Sequence, residues 1–114
     1  MSADHTDVVV VLVTGPDPET LEGIGRRMVE DRLAACTNVL GGVSSVYRWQ
    51  GGVQVQGEAL AILKTTRACV GELQRAVQEL HPYEEPEFIV LPVVTGSPGY
   101  LGWVADSVRA DTEA

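Results

Sequence analysis

Cys36 and His81 are the side chains in this sequence best suited to hold a soft or borderline cation. A cysteine thiolate is a soft ligand that suits copper(I), zinc or mercury. Cys36 falls where a helix gives way to a strand, and a small half-buried hydrophobe would serve there equally well. His81 precedes Pro82, which puts its ring on a fixed loop rather than in a core, where a neutral imidazole suits copper(II) or zinc. The competing reading is a histidine at a helix C-terminus that interacts with the dipole. Glu84 or Glu85 is near enough in sequence to support the ring by a hydrogen bond. Glu58 and Lys64 are predicted on one face of one strand, and a charge there is costly unless paired. Pairing through a neighbour and lining a pocket between subunits are both open. Cys69 is predicted in the first turn of a helix, where the dipole favours a thiolate, and is read as incidental.

Composition narrows what these residues can do. The 114 residues are 45% hydrophobic and 21% charged, which suits one globular domain. Sixteen acidic residues against eight basic ones give a net charge of -8. That balance argues against nucleic-acid binding without sequence preference and against anionic membranes, since both need a basic face. Two cysteines and two histidines, one of them His5 in the polar N-terminal stretch, exclude a disulfide scaffold and a four-cysteine zinc site. A tight metal site must therefore pool donors between subunits or rely on carboxylates. The sequence has no nucleophile elbow, P-loop, dinucleotide fingerprint or His-Glu-x-x-His helix, so an enzyme is not expected. The start is polar without a basic region, and the apolar run Val8 to Val13 is too short for a signal core or a membrane span. A cytoplasmic location is the expectation.

The elements that must position these residues follow from changes in hydrophobic period. Val8 to Val13 is apolar on both faces and β-branched, as in a central strand. Asp17-Pro18 signals a helix start, and Leu21, Ile24, Met28 and Leu33 continue a helical stripe to about Ala35. Cys36 to Gln50 reads as a long strand broken at Gly41-Gly42 by a bulge or bend. Gly51-Gly52 is the predicted hairpin turn, and Val53 to Thr65 the return strand. A second helix is predicted from Thr66 as N-cap, with Val70, Leu73, Val77 and Leu80 as its stripe, ended by His81-Pro82. The last strand is placed at Glu87 to Val94, at a sheet edge because of Pro92. Ser97-Pro98 opens a short helix with Leu101, Val104 and Val108 on one face.

The order β-α-β-β-α-β predicts an α+β, ferredoxin-like fold: a four-stranded antiparallel sheet with both main helices on one face, plus the short C-terminal helix. Its first and third strands are central. The expected layout is a single domain over 8–108, a disordered tail over 1–7 and a polar tail over 109–114. Two helices cover one face only, yet the central strands are apolar on both. The long hairpin also projects Tyr47, Arg48 and Trp49, and Trp103 falls off the apolar face of its helix. Homo-oligomerisation follows. Subunit contacts account for Tyr47, Trp49, Tyr83, Tyr100 and Trp103 more simply than a binding pocket does.

Several stretches in this order resemble the CutA family, the divalent-cation tolerance proteins. They are Thr14-Gly15-Pro16-Asp17, Arg32-Leu33-Ala34-Ala35-Cys36-Thr37-Asn38, Ser45-Val46-Tyr47-Arg48-Trp49-Gln50-Gly51, Leu63-Lys64-Thr65-Thr66, His81-Pro82-Tyr83-Glu84 and Tyr100-Leu101-Gly102-Trp103. The resemblance implies a homotrimer similar to the nitrogen-regulatory PII proteins, with metal binding linked to copper tolerance. Some members carry a cysteine in the first strand and a second histidine before His-Pro-Tyr as proposed copper ligands. Here those positions are Val13 and Leu80, so His81 alone of that set is present.

The expectation is a trimer that weakly binds copper, as copper(II) or copper(I), or zinc(II) or another divalent cation, at subunit clefts. Cys36, His81 and Glu58 are the donors, and Lys64, Tyr47, Tyr83, Glu84 and Tyr100 shape the cleft. Arg48, Trp49 and Trp103 make subunit contacts. One alternative is a PII-like signalling module that binds a small anion through Lys64, Arg67 and Arg48, although the chain lacks a glycine-rich phosphate cradle. Another is a trimer that anchors other proteins through the 47–52 tip.

Overall fold

A computed structural model describes residues 7–110. Its strands are β1 (Val8–Gly15), β2 (Cys36–Trp49), β3 (Gly52–Thr66) and β4 (Ile89–Pro92), and its helices are α1 (Pro18–Glu30), α2 (Val70–Leu80) and α3 (Pro98–Ser107). The sheet order is β2-β3-β1-β4 with every pair antiparallel, so the two strands that are apolar on both faces are central. The fold is ferredoxin-like, as the element order predicts. The predicted tails lie outside the described residues except at Asp7, Arg109 and Ala110.

Register sorts the side chains onto two faces, because directly paired residues of neighbouring strands project to the same side. Val9, Val11 and Val13 of β1 share a face with Leu63, Ala61 and Ala59 of β3, and all are buried. Leu21, Ile24 and Met28 of α1 and Leu73 and Val77 of α2 complete that core. Helix α1 comes close to β2 because residue 25 is glycine. A Cβ there would sit 2.5 Å from the Thr37 Cγ2. The glycine that weakens helix propensity thus permits the packing.

Helix α1 begins as its sequence predicts. The Asp17 carboxylate accepts the Thr20 N–H at 2.7 Å, and this bond holds the Asp17 carboxyl below its usual value. It ends at Glu30, short of the expected Ala35. Arg32 takes a left-handed conformation at φ 60, its N–H donates to Val29 O, and the Leu33 N–H donates to Met28 O. That is a Schellman ending built on arginine. Leu33 is buried outside the helix, which explains why the apolar stripe overran the boundary.

The other boundaries shift for similar local reasons. The bulge lies between Leu40 and Val43, with Gly42 at φ 74, as expected. The hairpin turn is Gln50-Gly51, one residue earlier than the predicted Gly51-Gly52. Trp49 pairs with Gly52, and both central residues have positive φ, 49 and 83. After Thr66 the chain makes a 3-10 turn (Arg67–Cys69) before α2, so Cys69 precedes that helix rather than occupying its first turn. Strand β4 is shorter than predicted and is an edge strand, which accommodates Pro92.

The second face of the sheet is only partly covered. Val8 packs at one end under Leu101, Val104 and Val108 of the α3 segment, with Ala35 and Cys69. The Arg32 guanidinium donates to the carbonyls of Ser107 and Asp106 at the end of α3. Arg109 donates to the Asp31 carbonyl and pairs with Glu72 at 3.2 Å, so the chain is docked one residue beyond the expected domain end. The rest of this face is open. Leu40, Ile89 and Leu91 are 47%, 47% and 43% exposed, beside half-buried Val10, Leu12, Leu60 and Ile62. On the hairpin, Trp49 is exposed on the continuation of this face, and Val46, Val53 and Val55 are exposed on the opposite one. A fourteen-residue strand reaches about 45 Å, and the molecule extends 51 Å against 27 and 24 Å across. The hairpin is the projection.

Candidate functional site

Most of the predicted site residues fall into two groups along the sheet. The first is built where α2 ends. His81 caps that helix with extended backbone, the residue before a proline being pushed out of the helical region. Its ring is buried at 7% exposure, contrary to the expected placement on a loop away from the core. Nε2 lies 2.7 Å from the Thr14 carbonyl, and the Tyr83 N–H donates to Nδ1 at 3.0 Å. A carbonyl accepts and an N–H donates, so the ring is neutral with its proton on Nε2. Both nitrogens are therefore occupied within the chain.

Tyr83 carries this order outward. Its ring lies 4.7 Å from that of His81, and its hydroxyl donates to Glu58 Oε2 at 2.7 Å. Burial raises the phenol pKa, and the hydrogen bond and charge of Glu58 add to it, to about 12. Glu58 thus has a partner, and that partner is Tyr83 instead of Lys64. Beyond this pair the base of the hairpin makes a concavity of about 710 Å³, lined in part by Ser45, Tyr47, Gln56, Glu58, Tyr83 and Glu84. The Tyr47 hydroxyl donates to Gln56 Oε1 at 2.8 Å. Glu85 and Glu87 also line it, so the wall is aromatic and acidic. Trp49 stands at its hairpin edge.

The second group lies toward α3. Cys36 and Lys64 are register partners on β2 and β3. Lys64 donates to Asn38 Oδ1 and lies 4.0 Å from Cys36 Sγ, while that thiol is 3.7 Å from the same Asn38 oxygen. The Lys64 ammonium also stands 6.0 Å from the centre of the Tyr100 ring, whose neighbour Trp103 is exposed. Glu58 and Lys64 share a face but stand six residues apart on one strand, about 20 Å. Cys36 therefore does not meet Glu58 and His81 within a chain. Among the described residues no three histidine, cysteine or carboxylate side chains converge to hold a metal ion. Of the cationic residues, Arg48 near the hairpin tip lies at the far end of the β2–β3 pair from Lys64 and Arg67.

Sequence reasoning missed Asn38, Gln56 and the Thr14 carbonyl. The first two were within reach: Asn38 is two residues from Cys36 and Gln56 two from Glu58, so strand alternation puts each beside its neighbour. No local signal marks the third.

Proteins of known family share this sequence and this fold. Residues 9–107 match the family model for the CutA1 divalent ion tolerance protein. The chain belongs to the CutA1 family. The divalent-cation tolerance protein CutA of Thermus thermophilus is 43% identical over 98 residues, which are 86% of this chain and 95% of that protein. A solved structure of the T. thermophilus protein superposes with a TM-score of 0.87 at 41% identity, over 90% of this chain and 99% of the other. The chloroplastic CutA protein of Arabidopsis thaliana is 41% identical over 101 residues, 89% of this chain and 56% of that one. The family model and the T. thermophilus relative are named for divalent-cation tolerance. No helix among the described residues is long and apolar enough to cross a membrane.

Proposed function

We propose that this protein is a homotrimeric divalent-cation tolerance protein that binds copper or a related cation, such as zinc, weakly and between subunits. The observation that carries this reading is the separation of the candidate donors within one chain, together with the open apolar face. Leu40, Ile89 and Leu91 on this face, and the hairpin valines on the other side of the sheet, need a cover, and a second copy supplies one of matching character. Three as the number of copies rests on the family resemblance. Assembly is the route by which a Cys36 thiolate of one subunit meets carboxylates such as Glu58 and Glu84 of another. The metal's contribution there is charge neutralisation and sequestration. His81 acts by positioning: its ring fixes Tyr83, and Tyr83 holds Glu58. Arg48, Trp49 and Trp103 contribute contact surface, and Lys64, Tyr47 and Tyr100 shape the clefts. Both cysteines are free thiols, which fits a reducing compartment such as the cytoplasm.

Sedimentation equilibrium tests the assembly, with a trimer mass expected at micromolar concentration and a monomer mass contradicting it. Calorimetric titration with copper(II) tests the donors. Cys36→Ala should weaken binding about tenfold or more, whereas His81→Gln should change it less. Identical isotherms for wild type and Cys36→Ala would remove the thiol from the site.

A further inference from the structure

Cys36 and Lys64 face each other across β2 and β3, with their reactive atoms 4.0 Å apart. Their relation is fixed from two sides. Strand register aligns the backbones, and the Asn38 amide oxygen accepts from the Lys64 ammonium and from the Cys36 thiol. Cys36 is half-buried at the start of an edge strand, outside the sealed core. Cys69 differs: it is buried, and its S–H donates to the Arg109 carbonyl at 3.3 Å.

A sulfenic acid condenses with a nitrogen nucleophile to a sulfenamide when one is at hand. From the juxtaposition of Cys36 Sγ and Lys64 Nζ beside Asn38, we propose that peroxide converts this pair to a thiol-reversible sulfur–nitrogen bond that staples β2 to β3. The oxidant is hydrogen peroxide. In the first step the Cys36 thiol takes one oxygen from peroxide: the O–O bond breaks, an S–O bond forms, and water leaves. The sulfur gives up two electrons and the peroxide is reduced by them. In the second step Lys64 releases a proton to solvent and its amine attacks the sulfenic sulfur. An S–N bond forms, the S–O bond breaks, and a second water departs as the nitrogen loses another proton. Excess thiol reverses the reaction by attacking sulfur, returning the Cys36 thiol and the Lys64 amine and becoming a disulfide. The bond removes a soft donor and a positive charge from the open face together. This inference does not depend on metal binding.

The test is mass spectrometry of the full chain, assembled and treated with hydrogen peroxide in the presence of a chelator. Cys69→Ser serves as background, so that no disulfide within the chain competes. Intact protein should become lighter by two hydrogen atoms. Trypsin should then leave peptides 33–48 and 49–67 joined, because modified Lys64 is no longer cleaved. Dithiothreitol should separate them. Lys64→Met and Lys64→Arg, the second keeping the charge and a donor for Asn38, should yield dimedone-trapped sulfenic acid at Cys36 and no joined peptide. Wild type that gives only sulfenic or higher acids at Cys36, trapped by dimedone to the same extent as in the lysine variants, would overturn the proposal.

Discussion

The His81 ring bridges the end of α2 to the end of β1: Nε2 stands 2.7 Å from the Thr14 carbonyl, and Nδ1 accepts the N–H of Tyr83. A residue whose type suggests metal ligation is thus used to join two backbone segments. Replacing it with alanine leaves a carbonyl and an N–H without their partner, at a cost of about 1–3 kcal/mol. His81→Ala should lower the urea midpoint at fixed protomer concentration with little change in slope. An unchanged midpoint would show that water replaces both bonds without loss.

Tyr83 should titrate late. Burial, reinforced by Glu58, holds its phenol at about 12, so ultraviolet difference absorbance should show a tyrosine transition at about pH 12 that is lost in Tyr83→Phe. Glu58→Gln should bring that transition down, though not fully to 10, because burial persists. The folded value lies above the unfolded one. Its stabilising contribution is therefore complete below pH 10 and is lost as pH rises through about 12. Alkaline unfolding of Tyr83→Phe should lack this component.

Gly25→Ala should destabilise despite alanine's better helix propensity. The gain is about 1 kcal/mol. The new methyl meets the Thr37 side chain at 2.5 Å, and separating α1 from β2 costs about 1–3 kcal/mol. Gly23→Ala is the internal control, since a Cβ there meets nothing within 4 Å. It should stabilise, and thermal unfolding of the two variants should move in opposite directions.

At the hairpin tip, Gln50 holds φ 49 without glycine's freedom. Gln50→Gly should relieve about 1 kcal/mol of left-handed strain, partly offset by the entropy glycine loses on folding. A small rise in melting temperature is expected, with copper binding unaltered.

The sheet was legible because period and punctuation agreed in β1, β3 and α2. Boundaries slipped where one side chain decided the backbone. Arg32 stops α1 by adopting a conformation that glycine usually takes, and nothing in its type announces that. Gln50 replaced Gly52 in the turn for the same reason. The site was legible as residue types and only in part as geometry. Alternation put Glu58 and Lys64 on one face but could not say that Tyr83 would come from a distant loop to take Glu58. Nor does a His-Pro pair reveal which carbonyl its ring will meet. That depends on how α2 lies across the sheet, a property of the packed core.

The most direct test of the central claim, that cation binding requires assembly, is a copper(II) titration of Leu91→Lys beside wild type. Leu91 lies on edge strand β4 in the open face, and a charge there opposes packing of another copy. With the variant shown monomeric by sedimentation and folded by circular dichroism, wild type should bind copper and the variant should give no heat above dilution. The same isotherm for both would contradict the account and place the site within a single chain.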